Sequence, residues 1–176
     1  DLWDNPLGTD GFEFVEYAAP EPERLAGLFR RMGFTEVARH RSKKVSLYRQ
    51  GGINFILNAE PGSHGMSFAS AHGPCANAMA FRVKDAAAAM KALVAKGAKP
   101  VEAKAGPMEL NIPAIEGIGG ALLYLVDRYG ERSIYDVDFQ PIPVVEQNPR
   151  GHGLTYIDHL THNVGRGQMD RWAKFY

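Results

Sequence analysis

Among the side chains of this 176-residue sequence that could do chemistry, the tightest gathering is Asp158-His159-Leu160-Thr161-His162. Imidazole nitrogens spaced this closely suggest a metal site, so the geometry of the segment decides what they can do. On a helix the two rings would share a face; on a strand, odd spacing sends them to opposite faces. Tyr156, Ile157, Leu160, Thr161 and Val164 favour β structure, and helical spacing begins only after Gly167. Residues 154–164 are therefore predicted as a strand, from which at most one of His159 and His162 reaches a site.

The other candidates are weaker. His40 lies in a basic cluster with Arg39, Arg41, Lys43 and Lys44 and reads as part of a solvated turn. His64 and His72, flanked by glycines, read as loop residues. The pair His72/Cys75 lacks the second pair of ligands that a zinc site needs. Gly117-Ile118-Gly119-Gly120 has the look of a phosphate loop, but a strand pattern follows it rather than a helix N-terminus, so it reads as a turn. Asp136 and Asp138 fall at strand spacing with nothing to make them a catalytic pair, and no serine has an elbow context.

The elements that must position these residues repeat. Leu25, Leu28, Phe29 and Met32 mark one helical face, with Pro22 in the first turn and Gly33 just past the end. Related spacing returns at Met90, Leu93, Val94 and Gly97 behind the N-cap candidate Asp85, and again at Met169, Trp172, Ala173 and Tyr176. Each helix follows a strand-like run, at 12–18, 78–83 and 154–164. Further runs at 34–40, 45–50 and 53–58 follow the first helix. Runs at 100–103, 110–115, 121–127 and 134–139 follow the second. The predicted fold class is α+β: paired βαβββ modules, strands curled around a central cleft, helices outside. Residues 1–139 are expected to form one domain, the Pro- and Gly-bearing stretch 140–153 a linker, and 154–176 the first strand and helix of a further, truncated domain.

Composition narrows the partners. Twenty Lys and Arg balance twenty Asp and Glu, which argues against nucleic acid or a polybasic membrane surface. No apolar run reaches the roughly 18 residues of a membrane span. One cysteine precludes an internal disulfide and suits a reducing, cytoplasmic setting.

The stretches "GFEFVEYA", "MGFTEVARHRSKKVSLYRQGGINFILN", "MAFRVKDA", "GPMELNIPAIEGIGGALLYLVDRYG", "SIYDVDF" and "IDHLTHNV" resemble the bacterial 4-hydroxyphenylpyruvate dioxygenases, of the vicinal-oxygen-chelate superfamily. The resemblance implies a non-haem Fe(II) enzyme of tyrosine catabolism that decarboxylates 4-hydroxyphenylpyruvate oxidatively with O₂ and hydroxylates its ring to give homogentisate. It implies a two-His-one-carboxylate iron site, with His159 as the one ligand inside this sequence, no catalytic or cofactor-binding residue besides it, and a homo-oligomer (dimer or tetramer). Aligning the repeats places Phe14 or Val15, and Ala78 or Met79, where His159 falls, so 1–139 is expected to hold no metal. On this reading the chain alone is inactive and binds iron weakly. The alternative is a metal-free small-ligand-binding module of the glyoxalase or bleomycin-resistance type.

Overall fold

A computed structural model describes residues 4–102 and 109–176. Both expected modules are present, each as a strand, a helix and three strands. The first comprises β1 (Thr9–Ala18), α1 (Pro22–Arg31), β2 (Thr35–His40), β3 (Val45–Gln50) and β4 (Ile53–Asn58). After α2 (His64–His72) the second comprises β5 (Cys75–Val83), α3 (Ala86–Ala95), β6 (Pro100–Val101), β7 (Ala114–Glu116) and β8 (Leu122–Val126). The short α4 (Ile134–Asp138), β9 (Phe139–Pro141) and α5 (Met169–Phe175) follow. The predicted strand residue Ala103, and the residues 106–108 of the quoted motif, lie outside the described residues.

The nine strands described form one mixed sheet in the order β6-β7-β8-β5-β1-β4-β3-β2-β9. Within each module the first strand runs parallel to the last (β1 with β4, β5 with β8), and β1 joins β5 antiparallel at the centre. A register shift between Phe12 and Phe14 lets β1 change the face it shows. Beyond it, Phe14 joins the cluster on the concave side with Val37, Leu47, Ile56, Ala80 and Phe139. Val15 packs on the other side with Met79, Ile115 and Leu123.

Helices α1 and α3 cover that outer side. Pro22 opens α1, and Ala26 and Phe29 bury its inner stripe, where Phe29 meets the rings of Tyr17, Tyr48 and Phe55. Leu28 and Met32, expected on the buried face, lie at its margin and stay exposed. Asp85 caps α3 by accepting from Ala88 N at 2.8 Å, and Ala86, Ala89, Met90 and Leu93 pack against Val83 and Leu125.

Four elements depart from expectation. Residues 64–72 form a helix, not a loop, capped by Ser63 accepting from Met66 N. Residues 134–139 divide into α4 and the first residue of β9, because Ser133 and Asp136 close a capping box. The run 110–115 enters a ladder only at Ala114. Residues 154–164 pair with no strand among the described residues; extended chain becomes a strand only with a neighbour to share its ladder.

Residues 140–153 are tied to the first module at several points. Phe139, Gln140 and Pro141 pair with β2 at the edge of the first module. Gly51 N donates to Pro149 O and Gly52 N to Thr155 O. Gln50, fully buried (0% exposed), accepts from His152 N at 2.6 Å and Leu154 N at 3.4 Å and donates to Met32 O at 3.0 Å. The approach needs glycine. A Cβ on Gly151, whose φ is +53°, would lie 2.3 Å from Gly33 O and 2.5 Å from Gln50 Oε1.

Candidate functional site

His159 sits where residues 154–164 cross the outer side of the sheet. Ile157 and Leu160 pack against the aromatic and aliphatic clusters there, leaving Asp158 and His159 outward. The imidazole is largely exposed (71%), and its Nδ1 lies 2.7 Å from Asp158 Oδ2. A carboxylate only accepts, so Nδ1 carries a proton, which leaves Nε2 as the ligating nitrogen of the neutral ring. A carboxylate behind one ring nitrogen is the arrangement that fixes a histidine to ligate through the other. His162 is turned elsewhere: its ring stacks on Tyr176 at 4.8 Å between centroids. Among the described residues no three His, Cys, Asp or Glu side chains converge as a metal would require. His159 fits a metal's needs in tautomer and exposure, and the chain's described residues supply one donor only.

The concave side of the sheet encloses a cavity of about 490 Å³ walled by Phe14, Ile56, Leu122, Ile134 and Phe139. Of the two positions aligned with His159 in the first module, Phe14 is the one facing this cavity, and it offers no donor atom. At its floor lies Glu16, half-buried, whose Oε2 accepts from Asn77 Nδ2 at 2.5 Å and Asn58 Nδ2 at 3.3 Å. Desolvation raises the Glu16 pKa above its ordinary 4.5, against the pull of Asn77, Asn58, His64 and Lys43. Gly65 of α2 covers this carboxyl group; a Cβ there would come within 3.2 Å of Glu16 Oε2 and closer still to both asparagines. Tyr124 beside it is held well above the ordinary tyrosine range by burial and by the Glu16 charge.

Three expectations are corrected here. His40 is not a solvated turn residue: it lines the cavity, meets Phe139 edge-on at 5.3 Å, and accepts at Nδ1 from Ser42 N and Lys43 N. Burial lowers its pKa. His64 and His72 belong to α2, where the rings of Phe68 and His72 meet at a tilt with centroids 4.4 Å apart, and His64 bonds Gly120 O through Nε2. Asp136 and Asp138 separate: Asp136 closes the α4 capping box, while Asp138 is buried and accepts from Leu110 N. Glu16 went unnoticed in the sequence. Its signal was a carboxylate two residues after Phe14, on the apolar face of a central strand.

Residues 3–140 match the family model described as hydroxyphenylpyruvate dioxygenase, HPPD, N-terminal. The chain belongs to this family. It is 58% identical over 177 residues to a 4-hydroxyphenylpyruvate dioxygenase of Pseudomonas sp. strain P.J. 874, covering 100% of this chain and 50% of that protein. It is 60% identical over 175 residues to a 4-hydroxyphenylpyruvate dioxygenase of Pseudomonas aeruginosa, covering 98% and 49%. A solved xylose isomerase-like TIM barrel/4-hydroxyphenylpyruvate dioxygenase fusion protein superposes with TM-score 0.82 at 40% identity, over 99% of this chain and 28% of that one. The chain thus spans about half the length of the curated relatives it matches. Both βαβββ modules fall within the hydroxyphenylpyruvate dioxygenase N-terminal match, and His159 falls beyond it. No helix among the described residues is long and apolar enough to cross a membrane.

Proposed function

We propose that this chain is the N-terminal portion of a 4-hydroxyphenylpyruvate dioxygenase, which uses Fe(II) and O₂ to convert 4-hydroxyphenylpyruvate to homogentisate in tyrosine catabolism. Identity near 60% along the whole chain to proteins of that name supports the reading. His159 is its metal ligand: Asp158 holds the Nδ1 proton and leaves Nε2 for the ion. When bound, Fe(II) supplies open positions for an α-keto acid and O₂ to meet. What this chain's residues do is aim one imidazole. Ile157 and Leu160 anchor the segment, and the Gln50 contacts fix the path of the chain that leads into it. The two modules form the N-terminal domain, and the assembly is a cytoplasmic homo-oligomer.

The test uses the uninterrupted protein that contains this chain. We expect O₂ uptake and homogentisate formation with 4-hydroxyphenylpyruvate, and we expect His159→Ala to lose bound iron and turnover together. Full iron occupancy and turnover in that variant would remove His159 from the site. Failure of the unaltered, iron-loaded protein to consume 4-hydroxyphenylpyruvate would overturn the functional reading itself.

A further inference from the structure

The cavity on the concave side of the modules contributes nothing to the reading above, yet it has the features of a binding site. Its volume of about 490 Å³ lies within the range of small-molecule pockets, roughly 300–1,000 Å³. Most of its wall is apolar, and one ionisable group is set at its floor. Glu16 Oε2 is occupied by Asn58 and Asn77, whereas Glu16 Oε1 accepts no hydrogen bond among the described residues. A deep carboxylate held by one oxygen, with the other left for an incoming donor, is a built polar anchor. Gly65 is part of it: any larger residue would crowd the carboxyl group and both asparagines.

The lining also selects a sign of charge. Among the described residues its carboxylates are Glu16, Glu60, Glu102, Glu109 and Asp138, against the ammonium of Lys43, which pairs with Glu109 at 2.7 Å. His40 is kept toward its neutral form by burial, and His64 commits Nε2 to a backbone carbonyl. Among the described lining groups negative charge is in excess, and a cation donating to Glu16 offsets the desolvation that otherwise pushes this carboxyl toward its neutral form. The rings of Phe14 and Tyr124, 5.7 Å apart, add negative π faces near that floor.

We propose that this cleft binds a small organic cation, a primary ammonium on an aromatic or branched apolar body, with the ammonium donating to Glu16 Oε1 and the body lying between Phe14, Ile56 and Leu122. The site is separate from His159 and does not depend on the dioxygenase assignment.

The probes are 2-phenylethylamine and 3-phenylpropionate, of similar shape and opposite charge, each titrated into the ¹⁵N-labelled chain at neutral pH. We expect the amine to saturate shifts of the Glu16, Gly65 and Asn77 amides, and the carboxylate to leave them unmoved. Glu16→Gln keeps an oxygen for Asn58 and Asn77 and removes the charge, and we expect it to weaken the amine at least tenfold with the rest of the spectrum intact. Leu122→Phe, which narrows the cavity without touching the anchor, is expected to weaken the amine as well. Equal binding of the carboxylate, undiminished amine binding by Glu16→Gln, or no saturable shift at millimolar amine would each overturn the proposal.

Discussion

Replacing Gln50 by alanine tests how residues 149–155 are held against the first module. The side chain is fully buried and forms three bonds, two to backbone N–H groups of the following segment and one to Met32 O. Alanine strands these partners. All three partners belong to exposed residues, Met32 at 39%, His152, and Leu154 at 48%, so water takes over from the lost side chain in part. At a net of about 0.5–1.5 kcal/mol for each of three hydrogen bonds, the variant loses about 1.5–4.5 kcal/mol. For a chain of this length that lowers Tm by roughly 5–15 °C. The assay is urea unfolding followed by circular dichroism, with limited proteolysis at residues 141–153. We expect a lower midpoint at unchanged slope and faster cleavage of the segment. Gln50→Met keeps the volume and removes all three bonds, so it separates polar loss from cavity formation. If Gln50→Met unfolds within about 0.5 kcal/mol of the parent, hydrogen bonding does not hold this junction.

Glu16 binds its proton more tightly folded than unfolded, so the parent's stability falls as pH rises above about 4.5 toward the raised value. Glu16→Gln removes that slope and is the more stable protein at neutral pH; a gap that stays constant across a pH series of melting curves refutes the burial argument. Phe29→Ala, which empties the space between Tyr17, Tyr48 and Phe55, costs about 3–5 kcal/mol in urea unfolding. Leu28→Ala on the exposed margin of the same helix stays within about 0.5 kcal/mol, and equal effects at both sites would contradict the assigned helix face. Asp85→Ala removes the α3 cap and costs about 1 kcal/mol; no measurable change would mean that water replaces the bond to Ala88 N.

The modules were legible because local rules and packing agree in them. Pro22 and Asp85 start helices that carry apolar stripes, and 45–50 and 53–58 alternate around a Gly51-Gly52 turn, so each period announces its element. Helix α2 was hidden because most of its residues are small or polar and its two large apolar ones, Met66 and Phe68, write no stripe; Ser63 and Gly73 were its sole punctuation. Helix α4 was hidden because Ile134, Val137 and Phe139 read equally as a short strand, and the capping box of Ser133 and Asp136 settles the matter through two side-chain bonds. The cleft was illegible for a different reason. The shift between Phe12 and Phe14 moves these same-parity residues to opposite faces of the sheet. That Glu16 stands at a floor, and not on a surface, depends on Asn58, Gly65 and Asn77 arriving from three other elements.

The pairing of β9 with β2 sets an order of events during synthesis. Strand β2 emerges early, but its outer edge stays bare until Phe139–Pro141 has left the ribosome. At translation speeds of about 5–20 residues per second the wait is of order 5–20 s, ample time for an unpaired edge to find a neighbouring nascent chain. Slowing elongation between codons 60 and 140 should therefore raise the aggregated fraction of newly made protein without altering the stability of molecules that finish folding.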